Sequence, residues 1–96
     1  MSPTLSILIP VYKRDCRRLL EELYKQAEEL SVGYEIILGD DCSGEPYTSQ
    51  YIAYEQEGLC RLVSAEENMG AGRLRNRLAE EAQGEQLLIL DSDTLP

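Results

Sequence analysis

The feature that most constrains this chain is the regular alternation of short apolar runs with longer stretches of helical periodicity. Leu5-Ser6-Ile7-Leu8-Ile9 is apolar, β-branched and broken by Pro10, which predicts a buried strand. From Cys16 the apolar residues Leu19, Leu20, Leu23, Tyr24, Ala27 and Leu30 follow at the three-and-four spacing of one helix face. Asp15 is placed to cap that helix and Gly33 to stop it. Arg17–Glu21, Arg18–Glu22 and Lys25–Glu29 stand four apart on its polar side. Tyr34 to Gly39 reads as a second strand, ending in Asp40-Asp41-Cys42-Ser43-Gly44. Pro46 suits the first turn of a second helix, with Tyr47, Tyr51 and Tyr54 on one side as packing residues and Gly58 at its end. Leu59 to Ser64 is a third strand. Asn68-Met69-Gly70-Ala71-Gly72 is a loop opening a third helix, striped by Leu74, Leu78 and Ala82 and closed by Gly84. Leu87 to Leu90 is a fourth strand, apolar on both faces, that runs into Asp91.

The order β-α-β-α-β-α-β predicts an α/β domain: a mainly parallel sheet, helices on both faces, right-handed crossovers. At 96 residues the chain makes one domain, 1–96, with no repeat and no linker. No apolar run approaches the roughly 20 residues of a membrane span. The first residues lack the basic region of a signal peptide. A cytoplasmic location is the default expectation.

Composition removes several chemistries. Eighteen acidic residues against nine basic ones give a net charge of −9, which argues against general nucleic-acid binding. There is no histidine, so a histidine general base, a serine–histidine triad and a histidine-ligated zinc are all excluded within the chain. Cys16, Cys42 and Cys60 are too few and too scattered for a disulfide framework or a Cys₄ zinc site.

What remains collects after strands one, two and four, and ligands in open α/β sheets bind beyond the carboxyl ends of strands. Asp91-Ser92-Asp93 offers two carboxylates one residue apart, able to approach a hard divalent cation together; the plainer reading is a pair of solvated turn aspartates. Asp40-Asp41 is open to two uses. One member can close an Asx turn while the other accepts a hydrogen bond from the N–H of a nucleotide base. Asn68 to Arg73 leads into a helix start, where anions can bind, although a flexible helix start would look the same. Arg75 could meet a base or a phosphate; no acid stands three or four residues after it. Tyr12, in the loop after strand one, is where a base could rest.

Taken in register, these pieces resemble family 2 glycosyltransferases. The matching segments are Ser6-Ile7-Leu8-Ile9-Pro10-Val11-Tyr12, Glu35 to Ser43, Glu67-Asn68-Met69-Gly70, Arg75-Asn76, and Gly84 to Asp93. The resemblance implies a Rossmann-like, three-layer α/β/α fold of the GT-A type, with strand order 3-2-1-4. It implies a nucleotide-diphosphate-sugar donor, a UDP-sugar first among them, held through Mn²⁺ or Mg²⁺, with inversion at the anomeric carbon. By analogy Pro10, Val11 and Tyr12 line the base pocket. Asp41 or Asp40 accepts from the base. Asn68, Gly70 and Arg75 contact the nucleotide. Asp91 lies near the ribose, Ser92 belongs to the nucleotide-sugar site, and Asp91 and Asp93 hold the metal. Lys13, Leu74 and Thr94 depart from the family pattern, Thr94 standing where a third acid often follows.

The family's general base and acceptor region lie further along its sequence. The expectation is therefore a donor-binding portion that transfers nothing by itself and contains no catalytic base. A sugar or lipid-linked acceptor would belong to the longer enzyme, which could then work at the membrane's inner face. With strand four at an edge and nothing in it to block pairing, a homodimer through that strand is also expected. Three rivals stand beside this reading. A haloacid-dehalogenase-like phosphatase would need Thr or Val where this chain has Leu95. A signalling receiver domain would need acids where it has Pro10-Val11-Tyr12. A non-catalytic nucleotide-binding module would share every ligand.

Overall fold

The computed structural model describes residues 3–90. The elements are β1 (Leu5–Val11), α1 (Arg17–Glu28), β2 (Tyr34–Asp40), α2 (Tyr47–Gln56), β3 (Arg61–Ser64), α3 (Ala71–Glu81) and β4 (Gln86–Ile89). They form one four-stranded sheet in the order β3-β2-β1-β4, all parallel. This is the expected α/β architecture and strand order.

The pleat of β1 sorts two cores. Ile7, Ile9 and Val11 face the side covered by α1 and α2, where they meet Leu19, Leu20, Leu23, Ile36, Leu38, Tyr51 and Tyr54. Leu8 faces the other side with Ile37, Val63, Leu74 and Leu78, under α3. Gly39 makes that second packing possible, since a β-carbon there would stand 2.7 Å from a methyl of Leu78.

Several local expectations shift. Cys16, not Asp15, occupies the cap position of α1, and Asp15 still accepts the Arg17 amide at 3.0 Å. The helix ends at Glu28, so Leu30 falls beyond the buried stripe and is exposed; Tyr24 sits at the stripe's margin and is exposed too. Gly33 does not stop the helix: its carbonyl accepts the amides of Thr4 and Leu5. Of the spaced charge pairs, Arg17–Glu21 forms at 3.3 Å, and Arg17 also reaches Glu57 at the end of α2. The three tyrosines of α2 pack, as expected.

Gly84 is not the cap of α3, which ends against an extended Ala82. Its role is close approach, because a β-carbon there would lie 2.5 Å from the Ser6 hydroxyl and 2.7 Å from the Ser6 nitrogen. The Gly84 amide donates to Ser6 Oγ at 2.8 Å, and that hydroxyl donates to Glu35 at 2.6 Å. Glu35 also accepts the Gln83 amide at 2.7 Å and pairs with Arg61, which donates to the Glu81 carbonyl. Burial alone would raise the Glu35 carboxyl; the bonds from Ser6, Gln83 and Arg61 outweigh it and hold it below its usual range. The amino end of the sheet is thereby tied together through one carboxylate, beside an open hollow of about 500 Å³ lined by Glu35, Arg61 and Gln83 among others.

Among the described residues β4 pairs with β1 alone, from Leu5↔Gln86 to Leu8↔Ile89, and all four of its residues are exposed. Apolar side chains on both faces do not bury a strand that has one neighbour.

Candidate functional site

The carboxyl end of the sheet is laced together by three loops. The first follows β1. Val11 passes its carbonyl to the Asp41 amide at 2.9 Å, which fastens it to the second loop. Tyr12 is exposed, and the Lys13 ammonium lies 5.2 Å from its ring centre, in cation–π range. Lys13 has φ of 50°, the left-handed region that non-glycine residues avoid. Its amide donates to Ser43 Oγ at 2.8 Å. Arg14 is gripped at both main-chain atoms by Tyr51, whose hydroxyl accepts the amide at 3.2 Å and donates to the carbonyl at 2.7 Å. Asp15 accepts from the Arg17 amide and, at 3.0 Å, from the Tyr54 hydroxyl; these bonds lower its carboxyl pKa, while burial first and then Asp15 push Tyr54 up.

The second loop follows β2 and gives the two aspartates different partners. Asp40 is almost wholly buried and accepts the Ser43 amide, three residues on, at 3.0 Å, a local side-chain bond that closes the turn after β2 in place of the expected Asx turn. Asp41 reaches across to the third loop. Its Oδ1 accepts the Met69 amide at 2.6 Å, its Oδ2 the Gly70 amide at 3.2 Å, and its carbonyl the Asn68 side-chain amide at 2.5 Å. Cys42 is exposed at φ 61° and its thiol donates to the Glu66 carbonyl.

The third loop therefore spends the Met69 and Gly70 amides on an internal carboxylate, where the sequence suggested a cradle for an external anion. The amides of Ala71, Gly72 and Arg73, in the first turn of α3, have no intrahelical acceptor and remain at that mouth. Gly70 supplies the turn with φ of 82°, a conformation that suits glycine. Arg75 folds back on the Ala71 carbonyl at 3.3 Å and, with Gly72, Asn76 and Ile89, lines an open groove of about 500 Å³ between α3 and β4.

Pro10, Val11, Tyr12, Asp40, Asp41, Asn68 and Gly70 are thus brought to one edge, and Arg75 to its flank. Asp91, Ser92 and Asp93 lie outside the described residues. Among the described residues no group of three or more metal-ligating side chains gathers, and no helix is long and apolar enough to cross a membrane. Ser43 and Tyr51 hold the first loop in shape, and the sequence reading gave neither a place in the site. Nothing in the periodicity marks what the Tyr51 hydroxyl reaches.

The chain as a whole is similar to known proteins. The chain is 32% identical over 93 residues to the putative teichuronic acid biosynthesis glycosyltransferase TuaG of Bacillus subtilis, covering 95% of this chain and 36% of that protein. It is 35% identical over 91 residues to an uncharacterized glycosyltransferase of Haemophilus influenzae, covering 93% and 29%. The structure of Staphylococcus aureus TarS residues 1–349 in complex with UDP-GlcNAc superposes with a TM-score of 0.69 at 26% identity, over 94% of this chain and 26% of that one. The mannosyltransferase PcManGT of Pyrobaculum calidifontis, in complex with GDP-Man and Mn²⁺, superposes at 0.68 and 25% identity, over 99% and 29%. This chain thus spans about a third or less of the length of each of these proteins. The family model for glycosyl transferase family 2 matches residues 6–96, nearly the whole chain, and the chain belongs to that family.

Proposed function

We propose that this chain forms the donor half of an inverting glycosyltransferase site, which binds a nucleotide-diphosphate sugar, first of all a UDP-sugar, through Mn²⁺ or Mg²⁺. The observation that carries the reading is Asp41. It stands at the junction of all three carboxyl-end loops, fixed by two main-chain amides. A carboxylate has about four acceptor positions, so two remain for the N–H of a base. Both aspartates are buried, but Asp40 lies deeper, at 3% exposure against 9%, and is engaged in its own turn, so the base role goes to Asp41. Pro10 to Tyr12 form the wall on which the base lies, Asn68 and Gly70 frame it, and Arg75 meets the nucleotide from α3.

Asp91 and Asp93 hold the cation in this reading, with Ser92 between them in the nucleotide-sugar site. Their oxygen donors suit a hard divalent ion, which supplies Lewis-acid stabilisation of the charge on the departing diphosphate. A net charge of −9 makes that ion necessary, since the chain repels a bare diphosphate. The complexes of TarS with UDP-GlcNAc and of PcManGT with GDP-Man and Mn²⁺ support this ligand class. The base that deprotonates the acceptor hydroxyl and the wall that holds a sugar or lipid-linked acceptor lie outside these residues. The site belongs to the cytoplasm, or to the inner face of a membrane where the acceptor is lipid-linked. The open, uncharged edge of β4 supports pairing with a second copy of the chain.

Isothermal titration with UDP tests the donor reading. Weak binding should be seen with Mn²⁺ and lost in EDTA, and Asp93→Asn should abolish it while leaving unfolding cooperative. Equal binding in EDTA would contradict the metal's role, and loss of cooperative unfolding in the variant would make Asp93 structural.

A further inference from the structure

Three of the bonds that shape the first loop come from two hydroxyls on other elements. Tyr51 lies in α2, with no exposed surface, and its hydroxyl both accepts from and donates to the main chain of Arg14. Ser43 lies in the turn before α2, is buried, and accepts the Lys13 amide. Two bonds to one residue's main chain define a position, where a single bond would define only a distance. They are placed where the backbone needs holding: Lys13, immediately before Arg14, sits at φ 50°. Such a conformation persists only when its surroundings enforce it. Tyr12, immediately before Lys13, carries the exposed ring, with the Lys13 ammonium across it.

We infer that Tyr51 is a positioning residue for the donor base: with Ser43, its hydroxyl sets the main chain of residues 13–14 and so the placement of Tyr12. This rests on the donor reading above, in which Pro10 to Tyr12 form the base wall. The role belongs to the hydroxyl and not to the ring. Phenylalanine would fill the same space between α1 and β2, and would leave the Arg14 amide and carbonyl without their partner. Burial, the largest influence, raises the Tyr51 pKa, so the hydroxyl keeps its proton and donates throughout the working range. Tyr54 offers an internal contrast. It also packs in the core and spends its hydroxyl on Asp15, a side chain at the entrance of α1 that lies further from Tyr12.

The inference separates base affinity from diphosphate affinity, a split that general loss of stability would not produce. In the whole protein with Mn²⁺, Tyr51→Phe should weaken UDP by about five- to tenfold, the worth of a hydrogen-bonded contact, and leave inorganic pyrophosphate within about twofold. Tyr54→Phe should leave both ligands within about twofold. Amide hydrogen exchange of the free protein should quicken at Lys13 and Arg14 in Tyr51→Phe, with the strands unchanged. Equal weakening of UDP and pyrophosphate, unchanged UDP affinity, or unchanged exchange at Arg14 would each overturn the role. A wild-type protein that binds UDP no better than pyrophosphate would instead overturn the base wall itself.

Discussion

The two ends of the sheet use the same device for opposite ends. At the amino end the Glu35 carboxylate is held by Ser6, the Gln83 amide and Arg61, and Gly84 brings the turn before β4 against β1 with no space left for a side chain. At the carboxyl end the Asp41 carboxylate also accepts two bonds, both from main-chain amides, and residues around it stay exposed: Tyr12, Cys42 and the first turn of α3. Both carboxylates tie distant segments together. The first accepts three bonds, from three different segments of the chain, and stabilises. The second is half answered, and the remaining capacity is what a ligand can use. A buried acid is thus informative only when its partners are counted.

Four experiments press on this contrast. The largest effect belongs to the amino end. Gly84→Ala sets a β-carbon against the Ser6 main chain, so it should cost about 2–3 kcal/mol in urea unfolding, as overpacking does, with UDP affinity of the folded protein unchanged. A cost near zero would mean that the amino end is not tightly packed at Gly84. Asp41→Ala leaves the Met69 and Gly70 amides unpaired and should cost about 1–3 kcal/mol while also removing UDP binding. Stability lost with binding retained would make Asp41 a mere tie, like Glu35.

The third effect is on acid stability. The folded-state pKa of Glu35 is depressed, so its contribution is complete above the unfolded value of about 4.3 and disappears as pH falls through the folded one. Denaturation midpoints should fall more steeply below that value in wild type than in Glu35→Gln; parallel curves would show that the network gives no linked stability. The smallest energetic effect is at the thiols. Burial pushes Cys16 and Cys60 up to about 12, whereas Cys42 is exposed beside Asp41. A maleimide at neutral pH should label Cys42 alone, and bound UDP–Mn²⁺ should slow that labelling. Labelling at equal rates with and without nucleotide would place the ligand elsewhere.

The fold was readable because its signals are local. Alternating apolar runs and helical stripes name the elements, and the position of the acidic strand ends together with the family resemblance orders them. The ends of elements were less readable, since Leu30 continues a periodicity that the helix does not, and Asp15 and Cys16 compete for one cap. The burial of β4 could not be read from Leu-Leu-Ile-Leu, because burial depends on how many neighbours a strand has. In the site, residue types were legible and partnerships were not. Asp40 and Asp41 look alike in sequence, and only their reach separates a turn-former from a link to α3. The Ser6–Glu35–Gln83–Arg61 network joins four segments and has no period at all. Ser43 and Tyr51 act through hydroxyls whose partners lie 30 and 37 residues away.

The central claim is that the half-answered carboxyl end is the nucleotide site, and a UDP–Mn²⁺ titration followed by amide NMR shifts tests it most directly, with Mg²⁺ in place of Mn²⁺ where line broadening intervenes. Saturable shifts are expected at residues 11–14, 40–43 and 68–75, with Ser6, Glu35, Arg61 and Gly84 silent. Shifts centred on Glu35 and Arg61, or none at the three carboxyl-end loops at saturating nucleotide, would contradict it.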